Sequence, residues 1–256
     1  MNIFIIGDIV GSQGCEFLRQ KLPAFKRVKG IDLTIANGEN AAPGNGITKA
    51  AAEFIFDSGV DFITTGNHAF RRSEVYNFLD ERRDIIRPAN VSSECPGTGW
   101  GVIDMGSVKV GVINLLGRAY INGSDNPFCA VDGLLENIAD CKVKILDIHA
   151  EATAEKQAMG FYLDGRVSIV VGTHTHVQTA DEKILPGGTG YITDLGMTGP
   201  ELSVLGVRPE ASISWLKTGL PTRFEVSDSP CMMCGCIFET DDKTGKVISI
   251  ERICVK

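Results

Sequence analysis

Short apolar runs of the β type recur along this chain, and most of them end in Gly, Asn, Asp or His. The first three are "NIFII" (2–6), "DLTIA" (32–36) and "VDFITT" (60–65), followed by Gly7-Asp8, Asn37-Gly38-Glu39-Asn40 and Gly66-Asn67-His68. Helical patterns separate the runs, and Thr48 is placed to cap the helix that ends near Asp57. This alternation predicts an α/β fold in which helices cover a largely buried sheet or pair of sheets.

The second half of the chain continues the pattern and becomes richer in strands. Its runs are "GWGVIDMGSVKVGVINL", "VKILDI" (143–148), "VSIVV" (167–171) and "TGYITD" (189–194). The first of these predicts two strands joined at Gly106-Ser107, and the tail from about 222 predicts further strands. Because 43% of the 256 residues are hydrophobic and no linker or repeat divides them, we expect residues 1–256 to form a single domain.

The composition narrows the classes of function. A net charge of -7 argues against an extended nucleic-acid surface, and no apolar run reaches the roughly 18 residues that suggest a membrane span. The start of the chain lacks the basic region and cleavage site of a signal peptide, so we expect a cytoplasmic protein with reduced cysteines. "CMMCGC" (231–236) could hold zinc, but without a second ligand pair nearby we interpret its cysteines as buried thiols.

Eight polar residues follow the apolar runs, and all four histidines of the chain are among them. They are Asp8, Glu39, Asn40, Asn67, His68, His149, His174 and His176. Taken singly, each has a structural explanation, such as a helix cap, a turn or a hydrogen-bonded core histidine. Because the loops after parallel strands converge on one edge of a sheet, their joint placement predicts a shared site.

The residue types in this set are typical of a site for two metal ions. His174 and His176 are two residues apart, so both side chains would point to the same side of an extended segment. A carboxylate such as Glu39 can bridge two cations, and imidazole, carboxylate and amide ligands without thiolate favour Fe, Mn or Zn. Two ions roughly 3.5–4 Å apart activate a shared water and neutralise a phosphoryl group, which predicts phosphoester hydrolysis.

These segments resemble the motifs of the calcineurin-like metallophosphoesterases, in the same order along the chain. The matching segments are Gly7-Asp8, Gly38-Glu39-Asn40, Gly66-Asn67-His68, His149 and Gly172-Thr173-His174-Thr175-His176. The chain is most similar to the YmdB-like subfamily, which it resembles over nearly its full length, including "NGENAA", "RPAN", "HAEAT" and "GTHTHVQTAD". The resemblance implies a four-layer α/β/β/α sandwich with a dinuclear metal centre that hydrolyses cyclic nucleotides, chiefly the 2',3'-cyclic forms, with 3',5'-cyclic forms as further candidates.

The resemblance also implies a role for each residue of the set. The metal ligands would be Asp8, Asn40 and His176 for one ion, Asn67, His149 and His174 for the other, and Glu39 as the bridge. His68 matches the family's catalytic histidine, which assists the leaving group while a hydroxide shared by the metals attacks phosphorus in line. Val10 stands where the wider superfamily has a histidine ligand, and Glu39 stands where it has Asp. Because valine cannot bind a metal, Asn40 is the candidate to supply the missing ligand.

Other interpretations stay open at this level. The same centre suits a broad phosphomonoesterase or protein phosphatase, or a regulatory binding protein with mainly structural metals. A metal-dependent amidohydrolase also uses His-x-His, although at the end of its first strand. Arg118 is a candidate phosphate ligand, and four residues are candidates to orient the metal ligands: Glu151, Thr179, Asp181 and Asp194. We expect two transition-metal ions per chain, iron first, and a small phosphodiester as the partner, and we leave a homo-oligomer open.

Overall fold

The computed structural model describes residues 1–256, which form thirteen strands and six α-helices. The strands are β1 (Asn2–Ile6), β2 (Asp8–Ile9), β3 (Leu33–Asn37), β4 (Phe62–Thr64), β5 (Trp100–Asp104), β6 (Lys109–Leu116), β7 (Val143–His149), β8 (Ile169–Thr173), β9 (Lys183–Ile184), β10 (Gly190–Ile192), β11 (Met197–Pro200), β12 (Cys231–Thr240) and β13 (Val247–Val255). The helices are α1 (Gly11–Lys29), α2 (Lys49–Asp57), α3 (Tyr76–Glu81), α4 (Pro127–Asn137), α5 (Thr153–Tyr162) and α6 (Pro209–Thr218).

The strands form one sheet of seven and one of six. In the first sheet β1, β3 and β4 are parallel neighbours, and β12 runs antiparallel to β1 with Ile5 opposite Cys236. The short strands β2 and β11 extend this sheet, and β13 pairs with β12. The second sheet has the order β5-β6-β7-β8-β10-β9, in which β6, β7, β8 and β10 are parallel.

Three apolar layers separate four layers of secondary structure. One cluster joins the outer face of the first sheet to α1 and α2 and includes Leu18 and Ile55. A second lies between the sheets and includes Ile5 and Ile145. The third joins the second sheet to α4 and α5 and includes Met159. This arrangement confirms the predicted α/β/β/α sandwich.

The layer between the sheets changes from apolar to polar toward the carboxyl ends of its strands. Side chains two residues apart share one face of a strand. Along β7 this face carries Val143 and Ile145 and then Asp147 and His149. The neighbouring strands end in the same way, with Asn37 on β3, Thr64 on β4 and Thr173 on β8. The apolar part packs the sheets together, and the polar part leaves one edge where a site can be built.

The local predictions agree with the structure in part. The Thr48 side chain caps α2 by accepting a hydrogen bond from the Ala51 N–H, and β5 and β6 are joined through Gly106-Ser107 as expected. The sequence pattern does not identify α6, because that helix leaves apolar side chains such as Ile213 and Leu216 exposed. The strands of the tail begin only at Cys231. None of the helices combines the length and the apolar composition needed to cross a membrane.

Candidate metal centre

All eight sequence-predicted site residues lie at the carboxyl edge of the two sheets. The first sheet contributes the residues at or after β2, β3 and β4, namely Asp8, Glu39, Asn40, Asn67 and His68. The second sheet contributes those at or after β7 and β8, namely His149, His174 and His176. The packing of one sheet on the other therefore brings together residues that are far apart in the chain.

The Nε2 atom of His149 is the centre of one group of donor atoms. It lies 3.1 Å from Glu39 Oε1, 3.0 Å from Asn67 Oδ1 and 3.0 Å from His174 Nδ1. Glu39 and His149 are buried, and His174 is half-buried. Two nitrogens and two oxygens thus converge on one small volume.

A buried chain of hydrogen bonds orients His149. Its Nδ1 atom lies 2.9 Å from Thr173 Oγ1, which donates to Asp147 Oδ1 at 2.8 Å. The threonine oxygen therefore accepts the Nδ1 proton, and Nε2 is the nitrogen left to bind a cation. Thr64 of the other sheet donates to Asp147 Oδ2 at 2.6 Å. Neither Thr173 nor Asp147 was among the predicted site residues, although Asp147 precedes His149 by two residues and so shares its face of β7.

A second group of donor atoms surrounds Asp8. Its Oδ2 atom accepts a hydrogen bond from the His174 N–H at 3.1 Å, whereas Oδ1 is buried without a hydrogen-bond partner. His176 Nε2 lies 3.6 Å from that oxygen, and His176 Nδ1 lies 3.0 Å from the Leu205 carbonyl, to which it donates. Because a buried charged oxygen without a partner is costly, Asp8 Oδ1 is suited to bind a cation.

Asn40 lies beside this second group with its amide nitrogen inward. Its Nδ2 is 3.1 Å from Glu39 Oε1 and 3.2 Å from His176 Nε2, and its Oδ1 is 3.1 Å from His68 Nδ1. An amide exchanges its nitrogen and oxygen by rotation about its last side-chain bond. Binding of a cation through Oδ1 therefore requires that half rotation, which would turn Nδ2 toward His68.

The electrostatics of the cluster favour a bound cation. Burial would raise the pKa of Asp8 and of Glu39, but the neighbouring histidines hold both below their ordinary values, Glu39 well below. Burial would lower the pKa of His149, but Glu39 and Asp8 raise it to about 9. Burial and the charge on His149 lower the pKa of His174 to about 4, so its imidazole is neutral. The buried carboxylates thus require positive charge, which protons or metal ions can supply.

The loop that carries His174 and His176 is not the extended segment predicted from their spacing. β8 ends at Thr173, and the two histidines have positive φ angles of 99° and 62°. Non-glycine residues rarely adopt this region, and when they do the surrounding structure must hold them there. Both side chains reach the cluster because the chain turns at each of them, so the predicted convergence agrees with the structure although the assumed geometry is wrong.

Asp194 holds this loop in place. Its Oδ2 atom accepts hydrogen bonds from the Thr175 N–H at 3.2 Å and from the Thr175 hydroxyl at 2.8 Å, between the two histidines. Lys156 of α5 is fully buried and pairs with the same oxygen at 2.7 Å. Asp194 was a candidate from its position in sequence, whereas nothing in the sequence around Lys156 distinguishes it from a surface lysine.

The other candidate supporting residues divide into two kinds. Glu151 contacts a predicted ligand, because its Oε2 lies 3.2 Å from His174 Nε2. Thr179 and Asp181 hydrogen-bond to each other and to the backbone of Thr193 and Asp194. Thr179 and Asp181 therefore support the cluster indirectly, through the backbone next to and at Asp194.

His68 lies on the open side of the cluster. Its Nδ1 is 3.3 Å from Glu39 Oε1, and its backbone N–H donates to Glu39 Oε2 at 3.0 Å. Its side chain is 24% exposed, whereas that of His149 is 0% exposed. This position is between the donor atoms and solvent, where a substrate would approach.

A cavity of about 280 Å³ opens beside Asn40 and His176. Its apolar wall is formed by Val10, Leu205, Val207, Phe224 and Val226. The arginine that lines it is Arg71, which follows His68 by three residues. The backbone N–H of Arg71 donates to the His68 carbonyl. Arg118, the arginine chosen from sequence, is exposed after β6 and does not line this cavity.

A four-layer α/β/β/α sandwich with a carboxylate, amide and histidine cluster at its carboxyl edge defines the class of calcineurin-like metallophosphoesterases. Residues 4–253 match the YmdB-like protein family, and the chain belongs to this family. It is 44% identical over 256 residues to the 2',3'-cyclic-nucleotide 2'-phosphodiesterase of Bacillus subtilis (strain 168), covering 100% of this chain and 97% of that protein.

Solved structures share this fold. The crystal structure of a novel phosphatase from Mycoplasma pneumoniae aligns with a TM-score of 0.94 at 36% identity, over 100% of this chain and 93% of that chain. A putative 5'-nucleotidase from Staphylococcus aureus is only 15% identical and aligns with a TM-score of 0.64 over 100% of this chain and 54% of its own. The latter likeness concerns the fold alone.

The absence of a side chain at Gly66 allows Glu39 and His149, candidate ligands from the two sheets, to lie close together, and replacing this glycine tests that geometry. A Cβ at this position would lie 2.3 Å from Glu39 Oε2 and 2.4 Å from His149 Nε2. Gly66→Ala should therefore displace both side chains, lower the metal content measured by elemental analysis, and reduce turnover roughly 100-fold. Gly133→Ala on α4 is the matched control, because a Cβ there meets nothing within 4 Å. Equal metal content and turnover in the two variants would contradict the assignment.

Proposed function

We propose that this chain is a metal-dependent phosphodiesterase that hydrolyses 2',3'-cyclic nucleotides. The observation that carries the proposal is the convergence of the Glu39, Asn67, His149 and His174 donor atoms beside the partnerless Oδ1 of Asp8. The name of the Bacillus subtilis relative supports the choice of substrate class. The two-sheet sandwich excludes a barrel amidohydrolase, with which the His-x-His pattern alone was consistent.

The donor set fits two divalent or mixed-valence ions. Asn67, His149 and His174 would bind one ion, Asp8, Asn40 and His176 the other, and Glu39 both. Carboxylate, imidazole and amide ligands without thiolate suit Fe, Mn or Zn, of which we favour iron. When bound, such ions lower the pKa of a water molecule and neutralise charge on the phosphoryl oxygens.

His68 supplies the proton for the leaving group in this proposal. Its Nδ1 atom faces Glu39 Oε1 at 3.3 Å and the Asn40 amide, so Nε2 is the nitrogen available to the substrate. Protonated at Nε2, His68 would donate that proton to the ribose oxygen as its bond to phosphorus breaks. Its half-exposed position allows the proton to be replaced from solvent.

The cavity beside the cluster provides a place for the nucleoside. The apolar wall and the exposed ring of Phe224 suit a planar base, which can stack on an aromatic side chain. Arg71 makes no ion pair in the structure, so its guanidinium is free to bind phosphate oxygens. The phosphate would thus lie between Arg71 and the metal ligands Asn40 and His176.

Turnover of a substrate panel tests the proposal directly. Protein loaded with Fe, Mn or Zn should hydrolyse 2',3'-cyclic nucleotides with a higher kcat/KM than 3',5'-cyclic nucleotides. It should also prefer bis-p-nitrophenyl phosphate to p-nitrophenyl phosphate. A preference for the monoester would favour the phosphomonoesterase alternative. Absence of turnover on every diester with both metals bound would favour a regulatory protein whose metals are structural.

His68→Ala separates proton transfer from metal binding. If His68 acts as a general acid, the variant should keep its metal content while kcat falls roughly 10²–10⁴-fold. Elemental analysis and steady-state kinetics on the same preparation measure both quantities. Loss of metal in proportion to activity would identify His68 as a ligand.

Arg71→Ala tests the cavity as the substrate site. Loss of one charge-assisted hydrogen bond to phosphate, about 1.5–3 kcal/mol, should raise KM for a 2',3'-cyclic nucleotide at least tenfold. Arg118→Ala is the matched control and should leave KM unchanged. The reverse pattern would move the phosphate site to Arg118, the residue suggested by sequence.

A further inference from the structure

A second cavity, of about 380 Å³, lies at the opposite edge of the second sheet, where β7 and β8 begin. It is lined by residues from the starts of these strands, from the α5–β8 turn, from the loop before β10 and from the β12–β13 turn. Strand β7 runs from Lys144 at this cavity to His149 at the candidate metal centre. Five residues at about 3.3 Å each separate the two sites by roughly 16 Å, so one small ligand cannot occupy both.

Positive charge is concentrated in this cavity. The cations that line it are Lys142, Lys144, Arg166 and Lys246, against a single carboxylate, Asp140. Arg166 is paired with Asp132 at 2.5 Å, whereas the three lysine side chains form no ion pair and no hydrogen bond within the protein. Like charges held on one concave surface repel one another, and a bound anion relieves that repulsion. The concentration is notable in a chain whose net charge is -7.

The backbone around the lysines is closely packed. Gly188 has a φ angle of 100°, and a Cβ there would lie 3.0 Å from Lys246 Cδ. Gly245 has a φ angle of 74°, and its Cβ would lie 2.1 Å from the Lys142 carbonyl oxygen. Ser168 is buried, accepts the Lys144 N–H at 3.1 Å, and keeps its hydroxyl hydrogen for a further bond. The glycines therefore let lysine-bearing segments from different parts of the chain approach one another.

We propose that this cavity binds a small molecule carrying two or more adjacent phosphate groups. Ammonium groups are compact charges that bind phosphate oxygens without the planar geometry that a guanidinium requires. Their combined charge of about +3 exceeds the roughly -1.5 to -2 that one phosphate group carries at pH 7. No aromatic side chain lines the cavity, so a nucleobase has nothing to stack on and the phosphates are the recognised part. The cavity is concave and the chain is acidic, which favours a small polyanion over a nucleic-acid backbone.

Calorimetric titration of the metal-loaded protein with inorganic pyrophosphate tests the proposal. A variant combining Lys142→Gln, Lys144→Gln and Lys246→Gln should raise the dissociation constant for pyrophosphate at least about 100-fold. The reason is that each hydrogen bond to a charged group contributes about tenfold or more to the affinity. Lys217→Gln on the exposed part of α6 is the control and should bind as the wild type does. Equal melting temperatures would show that the triple variant is folded. Pyrophosphate binding that survives in the triple variant would overturn the proposal.

Two further titrations separate this cavity from the metal centre and from base recognition. In Asp8→Ala protein the same binding event should persist, because Asp8 lies at the other edge of the sheets; its loss would place pyrophosphate at the metals instead. ADP should bind within about tenfold of pyrophosphate, and raising the salt concentration should weaken both. Far tighter binding of ADP would contradict recognition through the phosphates.

Discussion

A buried carboxylate, Asp147, joins the two sheets at the edge where the candidate site is built. It accepts hydrogen bonds from Thr64 in the first sheet at 2.6 Å and from Thr173 in the second at 2.8 Å, and Asn37 Nδ2 lies 3.3 Å away. Burial raises the pKa of Asp147 to about 6. Because a buried charge is costly without such partners, these hydrogen bonds favour the observed register of the two sheets, in which Thr173 is positioned to orient His149.

The alternation of side chains along β7 makes this arrangement sensitive to register. A shift of one residue would turn Asp147 and His149 toward the helices and bring Leu146 and Ile148 into the layer between the sheets. The apolar residues nearer the start of the strand, Val143 and Ile145, belong to the inter-sheet core and oppose that shift. The hydrophobic core therefore does more than stabilise the fold, since it determines which side chains face the site.

The same sandwich serves proteins of different function, so the fold alone does not identify the reaction. The Staphylococcus aureus putative 5'-nucleotidase shares it at 15% identity. What distinguishes a phosphoesterase is the site at the strand ends. There Glu39 contacts groups from both sheets, through His68 on one side and His149 on the other. Lys156 and Asp194 hold the strained loop between His174 and His176, which shows that the support of the site extends into α5.

The sequence by itself determined the fold class, the family and the eight residues of the candidate cluster. Strand endings are local features, and parallel strands deliver their endings to one edge whatever the details of packing. Only the tertiary structure decided how the loops of the cluster turn and which further residues, beyond the candidates near the strand ends, support it. Thr173, Lys156 and Arg71 have no local pattern that distinguishes them, and the positive φ angles of His174 and His176 depend on contacts with Asp8, Asp194 and Leu205. No single stretch of sequence predicts the lysine cavity. Lys144 and Lys246 line the same cavity only because the folded chain places the starts of β7 and β13 close together.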